Sequence, residues 1–187
     1  RDFCTHALHL SVAAGIRSDS IANWLSTERV VRAMPNTPAL LGAGVTGLFA
    51  NAATDNAGRA RAAALLGAVG ATVWIDDENL MDAVTAVSGS GPAYVFLLAE
   101  AMQQAGEAQG LDPAAARVLA AQTLLGAARM LTEREEPADV LRARVTSPGG
   151  TTQAAIETFE AGGFRGLVAR AIAAATARGR ELSAAND

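Results

Sequence analysis

The chain has 187 residues, half of them apolar, and a net charge of −4. This length and composition allow a substantial core, so we expect a folded protein rather than a disordered one. The scattered basic residues argue against a nucleic-acid partner or an anionic membrane surface, and no apolar run approaches the roughly 20 residues that cross a bilayer.

Short β-rich runs alternate with helical runs up to Asp77. We predict strands over residues 7–12, 30–34, 45–50 and 71–75, and helices over residues 19–25 and 54–69. A strand without polar alternation, such as ALHLSV at residues 7–12, is typical of a sheet covered on both faces, and intervening helices favour parallel pairing. Residues 1–77 therefore predict part of a Rossmann-like, largely parallel α/β domain.

From residue 78 onward the apolar period changes to that of helices. Apolar residues recur every three or four positions between Leu80 and Ala105, which predicts one long helix. Gly89, Gly91 and Pro92 fall in its middle, where proline removes a hydrogen bond, so we expect a kink or break there.

Further helices complete an all-α domain over residues 78–187. Asp112 as N-cap and Pro113 as first helical residue predict a helix that runs to about Leu131. Three more are predicted: one near residues 139–144, one that follows the loop at residues 145–152 and ends at the glycines at 162–163, and one over residues 165–182. Such alanine-rich faces hardly close a core alone, which favours pairing with a second copy of the chain.

The beginning of the sequence has two notable features. It starts with Arg1 rather than methionine, and a buried strand is predicted at residue 7 already, so we expect a further N-terminal portion to precede it. Cys4 is the single cysteine, which excludes an internal disulfide and suits a reducing compartment; cytoplasm is the expected location.

The loop VTSPGGTT at residues 145–152 is the most informative motif, because it opens directly into a predicted helix. Gly149 and Gly150 leave the main-chain N–H groups accessible, and the first turn of a helix has donors without intrahelical partners. Such a junction favours a carboxylate or phosphate. Ser147, Thr151 and Thr152 add hydroxyl groups, whereas Pro148 contributes no donor. The same residues also fit an ordinary helix capped by threonine.

Several kinds of functional site lack the sequence motifs that they need. His6 and His9 have no partners at metal-ligand spacing, so we expect no metal site. The run SGSG at residues 88–91 does not satisfy G-x-S-x-G and has no histidine downstream, and no phosphate-binding P-loop motif occurs. Two uncharged loops remain, MPNTP at residues 34–38 and SGSGPAY at residues 88–94, and both suit ligand binding. The first also fits a rigid turn, and the second also fits a kink that arises from helix packing.

The chain resembles pyrroline-5-carboxylate reductase in four segments. In chain order they are MPNTPAL, DAVTAVSGSGPAYVF, AAQTLLGAARML and VTSPGGTTQAAIE with EAGGFR. The resemblance extends from Leu10 to Leu182. It implies an N-terminal Rossmann domain for NADPH or NADH and a helical C-terminal domain that interleaves in homodimers, which often assemble into decamers. The family's G-x-G-x-x-G/A loop for the pyrophosphate is absent from these residues, so this stretch by itself is expected to be inactive.

The resemblance also implies which residues bind ligands. The matching cofactor positions are Val12, Ala13, Ala14, Met34, Pro35, Asn36, Thr37 and, near the cofactor of a partner subunit, Arg144. The substrate positions are Ser147, Pro148, Gly149, Gly150, Thr151 and Thr152, with Glu78 as a further contact. Thr152 is the expected catalytic residue, with its hydroxyl near the ring nitrogen.

The expected reaction is hydride transfer to the C=N bond of pyrroline-5-carboxylate, which gives L-proline. Two alternatives remain: a related imine or 3-hydroxyacid reductase with the same architecture, and a non-catalytic oligomerisation fragment. The sequence does not distinguish NADPH from NADH, because the residue that reads the ribose 2′ position lies outside these residues.

Overall fold

The computed structural model describes residues 7–185, so Cys4 and His6 lie outside the described residues. The chain divides into two compact units. Of the described residues, unit 1 contains 7–92 and 170–185, and unit 2 contains 93–169. Compactness therefore assigns the end of the last helix to unit 1. The domain boundary expected after Asp77 stays a prediction.

Unit 1 contains a four-stranded sheet in the order β1-β2-β3-β4. Its strands are β1 (His9–Ser11), β2 (Val30–Met34), β3 (Gly44–Ala50) and β4 (Gly70–Trp74). Helix α1 (Ser18–Leu25) connects the first two strands and α2 (Asn56–Gly67) the last two, and both of these strand pairs are parallel. The predicted Rossmann-like, mostly parallel α/β fold is confirmed.

The pair β2–β3 departs from the prediction because it is antiparallel, with Val31 opposite Ala50 and Met34 opposite Gly47. Residues 35–43 between these strands form only a short 3₁₀ turn, Thr37–Leu41. A parallel crossover needs about a dozen residues or more. The short connection therefore returns the chain antiparallel, and the start of β3 lies beside the end of β2.

One face of the sheet forms the core of unit 1. Val31 and Leu48 are fully buried, and Ala62 of α2 packs into the same cluster. Alternate residues of β2 and β3 point to this face, which is the period of a strand. Helix α2 begins at an N-cap, Asp55, whose carboxylate accepts from the Gly58 N–H at 2.7 Å. This cap stabilises the start of α2.

Residues 78–91 interrupt the long helix predicted there. A 3₁₀ turn (Glu78–Leu80) leads into the short helix α3 (Met81–Val84), followed by a π turn (Thr85–Gly89) and the long helix α4 (Gly91–Ala108). The Ser90 N–H donates to the Thr85 carbonyl at 2.8 Å, five residues back, which is the π pattern. The predicted break is confirmed, and it begins a few residues before Pro92.

The remaining helices are α5 (Pro113–Glu133), α6 (Ala138–Arg144), α7 (Thr151–Ala161) and α8 (Phe164–Ala184). Asp112 caps α5 through a bond from the Ala115 N–H at 3.1 Å, as predicted. Unit 2 buries few side chains: Ala116, Ala120 and Leu141 are covered, whereas Phe96 and Leu97 are about two-thirds exposed (67% and 66%). Unit 2 thus leaves most of its apolar surface open.

Between residues 7 and 185, no helix is both long and apolar enough to cross a membrane.

Candidate functional site

The carboxyl ends of β1 and β2 form one edge of the sheet in unit 1. Because these strands are parallel, with Ser11 opposite Arg32, residues 12–14 and residues 34–37 leave the sheet on the same side. Val12, Ala13 and Ala14 are exposed, and Met34 is half-buried. Carboxyl ends of parallel strands are where α/β proteins bind ligands. The edge therefore offers small, uncharged and accessible groups at the positions predicted for the cofactor.

Asn36 connects this edge to the π turn. Its side-chain oxygen accepts from the Val45 N–H at 3.0 Å, and its amide nitrogen donates to the Ser88 carbonyl at 3.1 Å. Met34 lies against the same turn, because a Cβ placed on Gly89 would be 2.8 Å from the Met34 methyl carbon. The uncharged loop at residues 34–38 is thus in contact, within unit 1, with Ser88 and Gly89 at the start of the run at residues 88–94.

The hydroxyl groups of the π turn are used inside their own helix. Ser88 donates to the Val84 carbonyl and Thr85 to the Met81 carbonyl, each at 2.9 Å. Each hydroxyl thus donates to a main-chain carbonyl and not to a general base. The turn therefore contributes shape and main-chain groups to the edge.

Glu78 is buried at the centre of a polar cluster. Its Oε1 accepts from the Ser18 N–H at 2.6 Å and from Arg32 Nη1 at 2.9 Å, and its Oε2 accepts from the Ser18 hydroxyl at 2.9 Å. Arg17 Nη2 lies 3.6 Å from Oε2. These contacts give Glu78 a structural role at the start of α1, and its predicted contact with substrate stays a prediction.

Ser18 and Arg32 were missed by reasoning from the sequence. Arg32 is buried, with 7% of its surface exposed, and its Nε has no hydrogen-bond partner among the described residues. An arginine inside an otherwise apolar strand, VVRAM, signals a buried acidic partner, because a buried guanidinium is costly unless paired. The identity of that partner, 46 residues away, is not readable from the sequence.

In unit 2, the loop at residues 145–152 leads into α7 as predicted. The N-cap is Gly150, without any side-chain cap, so the alternative of a threonine cap is wrong. Gly149 has a φ of +70°, a left-handed conformation that glycine adopts without strain. Gly150 donates its N–H to the Ser147 carbonyl at 3.0 Å. Over the described residues, the N–H groups of Thr151 and Thr152 have no acceptor.

Gln153 completes this loop and was not singled out in the sequence. Its side-chain oxygen accepts from the Gly149 N–H at 2.6 Å, and its amide nitrogen donates to Glu157 at 2.7 Å. Gln153 is the third residue of α7, the position from which a glutamine can reach back over the helix start. That signal was available in the sequence. Gln153 leaves the next two N–H groups open.

The geometry and electrostatics of the loop suit an anion. Ser147 and Thr151 are exposed, Thr152 is half-buried, and no carboxylate accepts from their main-chain N–H groups. The start of a helix carries partial positive charge. A small carboxylate can therefore bind here through main-chain N–H groups, with the neighbouring hydroxyl groups as further donors.

Arg144, the predicted contact of a partner's cofactor, forms an ion pair with Glu136. Its side chain is 62% exposed, so the guanidinium keeps donors that face solvent.

On α5, Arg129 donates to Glu133 at 2.7 Å. This hydrogen bond and the charge of Arg129 lower the pKa of Glu133, and the same contact raises the pKa of Arg129. Among residues 7–185, no group of three or more histidine, cysteine, aspartate or glutamate side chains could hold a metal ion.

Comparison with known proteins decides the family. The profile described as "Pyrroline-5-carboxylate reductase dimerisation" matches residues 78–182, more than half of the chain. The chain belongs to the pyrroline-5-carboxylate reductase family. This confirms the resemblance seen in the sequence.

Individual pyrroline-5-carboxylate reductases agree with the match. The enzyme of Pseudomonas aeruginosa is 56% identical over 178 residues, which cover 94% of this chain and 65% of that protein. A solved structure from Coxiella burnetii has a TM-score of 0.94 at 45% identity and covers 97% of this chain and 68% of that one. A Plasmodium falciparum structure with NADP bound has a TM-score of 0.83 at 29% identity, with 94% and 71% covered.

The chain spans 65% of the length of the Pseudomonas aeruginosa pyrroline-5-carboxylate reductase. The roles of individual residues therefore stay predictions. This applies to the cofactor positions at the sheet edge and to the substrate positions at residues 147–152.

Proposed function

We propose that the full gene product is an NAD(P)H-dependent pyrroline-5-carboxylate reductase, which reduces the C=N bond of 1-pyrroline-5-carboxylate to give L-proline. The main support for the proposal is the glycine-rich loop before α7, which leaves the main-chain N–H groups of Thr151 and Thr152 open. The chain that contains this loop is 56% identical to a protein named pyrroline-5-carboxylate reductase. A cyclic imino acid presents one carboxylate, the group that such donors bind best.

The loop binds and orients the substrate in this proposal. The N–H groups at the start of α7 and the exposed hydroxyl of Ser147 hold the carboxylate, while Pro148 and the left-handed Gly149 fix the shape of the turn. Thr152, half-buried one residue into α7, places its hydroxyl near the ring nitrogen. Orientation is the main contribution, because correct placement of reacting groups lowers the barrier by about 7–11 kcal/mol in favourable cases.

The sheet edge in unit 1 fits the nicotinamide end of the cofactor. Val12, Ala13 and Ala14 are small and exposed, and residues 34–37 leave the neighbouring strand on the same side. The reduced nicotinamide supplies a hydride to the C=N carbon. These residues exclude water and support one face of the ring, whereas the pyrophosphate requires a glycine-rich loop that these 187 residues do not contain. Arg144 is proposed to approach the cofactor of a second subunit.

The chemistry needs one proton besides the hydride. A protonated imine is electrophilic, so the nitrogen has to carry a proton when the hydride arrives. Thr152 holds that nitrogen by a hydrogen bond in our proposal, and solvent supplies the proton. The hydroxyl of Thr152 has no partner among the residues described, so it is available to the ligand.

Assembly as a homodimer belongs to the same proposal. Helices α4, α5 and α7 bury few residues, and large apolar side chains such as Phe96, Leu97 and Val118 are at least 60% exposed. Leu98, Met102, Ile156, Phe159 and Phe164 line an apolar groove of about 640 Å³. A second copy of the chain would cover these faces. Further assembly to a decamer and a cytoplasmic location are parts of the proposal that rest on the family resemblance.

A direct assay separates the candidate functions. Purified full gene product is incubated with pyrroline-5-carboxylate and either NADPH or NADH, and in parallel with 3-hydroxyacids and the oxidised cofactors. We expect proline to form and the 3-hydroxyacids to remain unchanged. Oxidation of 3-hydroxyacids would favour the related reductase, and a stable oligomer without either activity would favour an oligomerisation fragment.

A further inference from the structure

Asn36 occupies a place where three parts of unit 1 meet. It follows β2, its side-chain oxygen accepts from Val45 near the start of β3, and its side-chain nitrogen donates to Ser88 in the π turn. The residue is half-buried and adopts an extended backbone, with a φ of −130° and a ψ of 165°. One planar amide thus joins the sheet edge to the interrupted helix, although Ser88 lies 52 positions after Asn36 in the sequence.

The π turn needs such a connection. π turns are rare and are usually inserted as single turns within α-helices, often at functional sites. Here the turn lies directly against the sheet edge, since Gly89 has no side chain and a Cβ there would be 2.8 Å from the Met34 methyl carbon. The flexible methionine end can move, so this contact alone does not fix the distance between turn and edge. The hydrogen bond from Asn36 to Ser88 does.

We propose that Asn36 is a positioning residue of the reductase: it holds the π turn at a fixed distance from the edge formed by residues 12–14 and 34–37, and so sets the shape of the surface that supports the nicotinamide. The inference rests on the proposed function and assigns Asn36 a different role from the direct cofactor contact predicted from the sequence. Its effect on catalysis passes through the main chain at Ser88.

Asn51 provides a matched control within the same strand pair. Its side-chain oxygen accepts from the Val30 N–H at 3.2 Å, and its amide nitrogen donates to the Glu28 carbonyl at 2.7 Å. Asn51 therefore makes the same two kinds of bond at the opposite end of β2 and β3, and its side-chain oxygen also accepts from the Thr54 hydroxyl at 2.8 Å. It has no bond to the π turn. Loss of either asparagine weakens the strand pair, but only loss of Asn36 releases the turn.

Two substitutions at Asn36 separate its two bonds. Aspartate keeps an oxygen that accepts from Val45 and loses the donor to Ser88, whereas alanine loses both bonds and adds no charge. If the bond to Ser88 is the important one, Asn36→Asp and Asn36→Ala should have the same catalytic defect. If the bond to β3 is the important one, Asn36→Asp should resemble the wild type.

The experiment uses the full gene product with Asn36→Asp, Asn36→Ala, Asn51→Asp and Asn51→Ala. We expect both Asn36 variants to lower kcat by about 10- to 100-fold, the scale of a reacting group displaced by about 1 Å, with NADPH dissociation constants within about threefold of the wild type. We expect both Asn51 variants to retain kcat within about twofold. Amide hydrogen exchange at residues 85–90 should accelerate only in the Asn36 variants.

Several results would overturn the positioning role. Wild-type kcat in Asn36→Asp would contradict it, as would a defect confined to NADPH affinity, which indicates direct contact. Equal loss of kcat in the Asn51 variants would indicate general destabilisation. If the wild type lacks reductase activity, the proposed function fails, and the exchange measurement still decides the structural claim: unchanged protection of residues 85–90 in the Asn36 variants would refute it.

Discussion

Ser18 gives both of its hydrogen-bond donors to Glu78: its N–H lies 2.6 Å from one carboxylate oxygen and its hydroxyl 2.9 Å from the other. Helix α1 has no side-chain cap of its own at Arg17, so a carboxylate from 60 residues further along the chain satisfies its first donor. The same carboxylate neutralises the buried Arg32. Glu78 therefore stabilises α1 against the sheet.

Replacement of Glu78 by glutamine should destabilise the fold strongly. The substitution leaves the Arg32 charge buried without its partner, which typically costs about 3–5 kcal/mol. The free energy of unfolding, measured with urea, should fall by about 3 kcal/mol or more. Glu181→Gln, which breaks the exposed ion pair with Arg178, serves as the control and should have little effect. Equal losses in the two variants would contradict the role assigned to Glu78.

Substitution of Gly149 by alanine should weaken substrate binding. Gly149 has a φ of +70° and no atom within 4 Å of a Cβ placed there, so the cost is confined to the backbone, about 1–2 kcal/mol. Gly163 has a φ of +73° and equally open surroundings, which makes Gly163→Ala a matched control. Both variants should lose similar stability, whereas only Gly149→Ala should raise the KM for pyrroline-5-carboxylate. A KM that rises equally in both would remove the loop from the substrate site.

Thr152→Val tests the hydroxyl at the start of α7. Loss of a hydrogen bond to a charged group costs about 1.5–3 kcal/mol, so kcat/KM should fall by about 10- to 100-fold. Thr158 lies further along the same helix and donates to the Ala154 carbonyl at 2.9 Å, away from the loop. Thr158→Val should leave steady-state kinetics near those of the wild type. Unchanged kinetics in Thr152→Val would exclude this hydroxyl from the site.

Gly47 and Val84 should form a complementary pair. Gly47 is buried in β3, and a Cβ there would overlap a methyl group of Val84 in α3. Gly47→Ala should lower the unfolding free energy by about 1–3 kcal/mol, the usual cost of overpacking. The double variant with Val84→Ala should be more stable than Gly47→Ala alone in thermal unfolding. A double variant that is less stable would show that the two side-chain positions are not in conflict.

Local signals predicted most elements of the fold. The run at residues 30–34, apolar except for Arg32, predicted β2 with its observed bounds. Asp112 with Pro113 predicted the start of α5, because caps and prolines act within a few residues. The break near Gly89 and Pro92 was also predictable, although its π geometry was not.

Long-range relationships could not be predicted in the same way. The antiparallel pairing of β2 and β3 was missed although only residues 35–43 connect the two strands, because the period of apolar residues is the same for either strand direction. The contact between Asn36 and Ser88 joins residues that no local pattern relates. The open N–H groups before α7 were predictable, because two glycines and a helix start are adjacent in the sequence. Binding of an anion there stays a prediction.

Isotope labelling follows the transferred hydride directly from the cofactor to the product. Full gene product is incubated with pyrroline-5-carboxylate and NADPH deuterated at the transferred position of nicotinamide C4, and the product is analysed by mass spectrometry and NMR. We expect L-proline with one deuterium at the ring carbon that carried the C=N bond. Proline without deuterium, or no proline with either NADPH or NADH, would contradict this expectation.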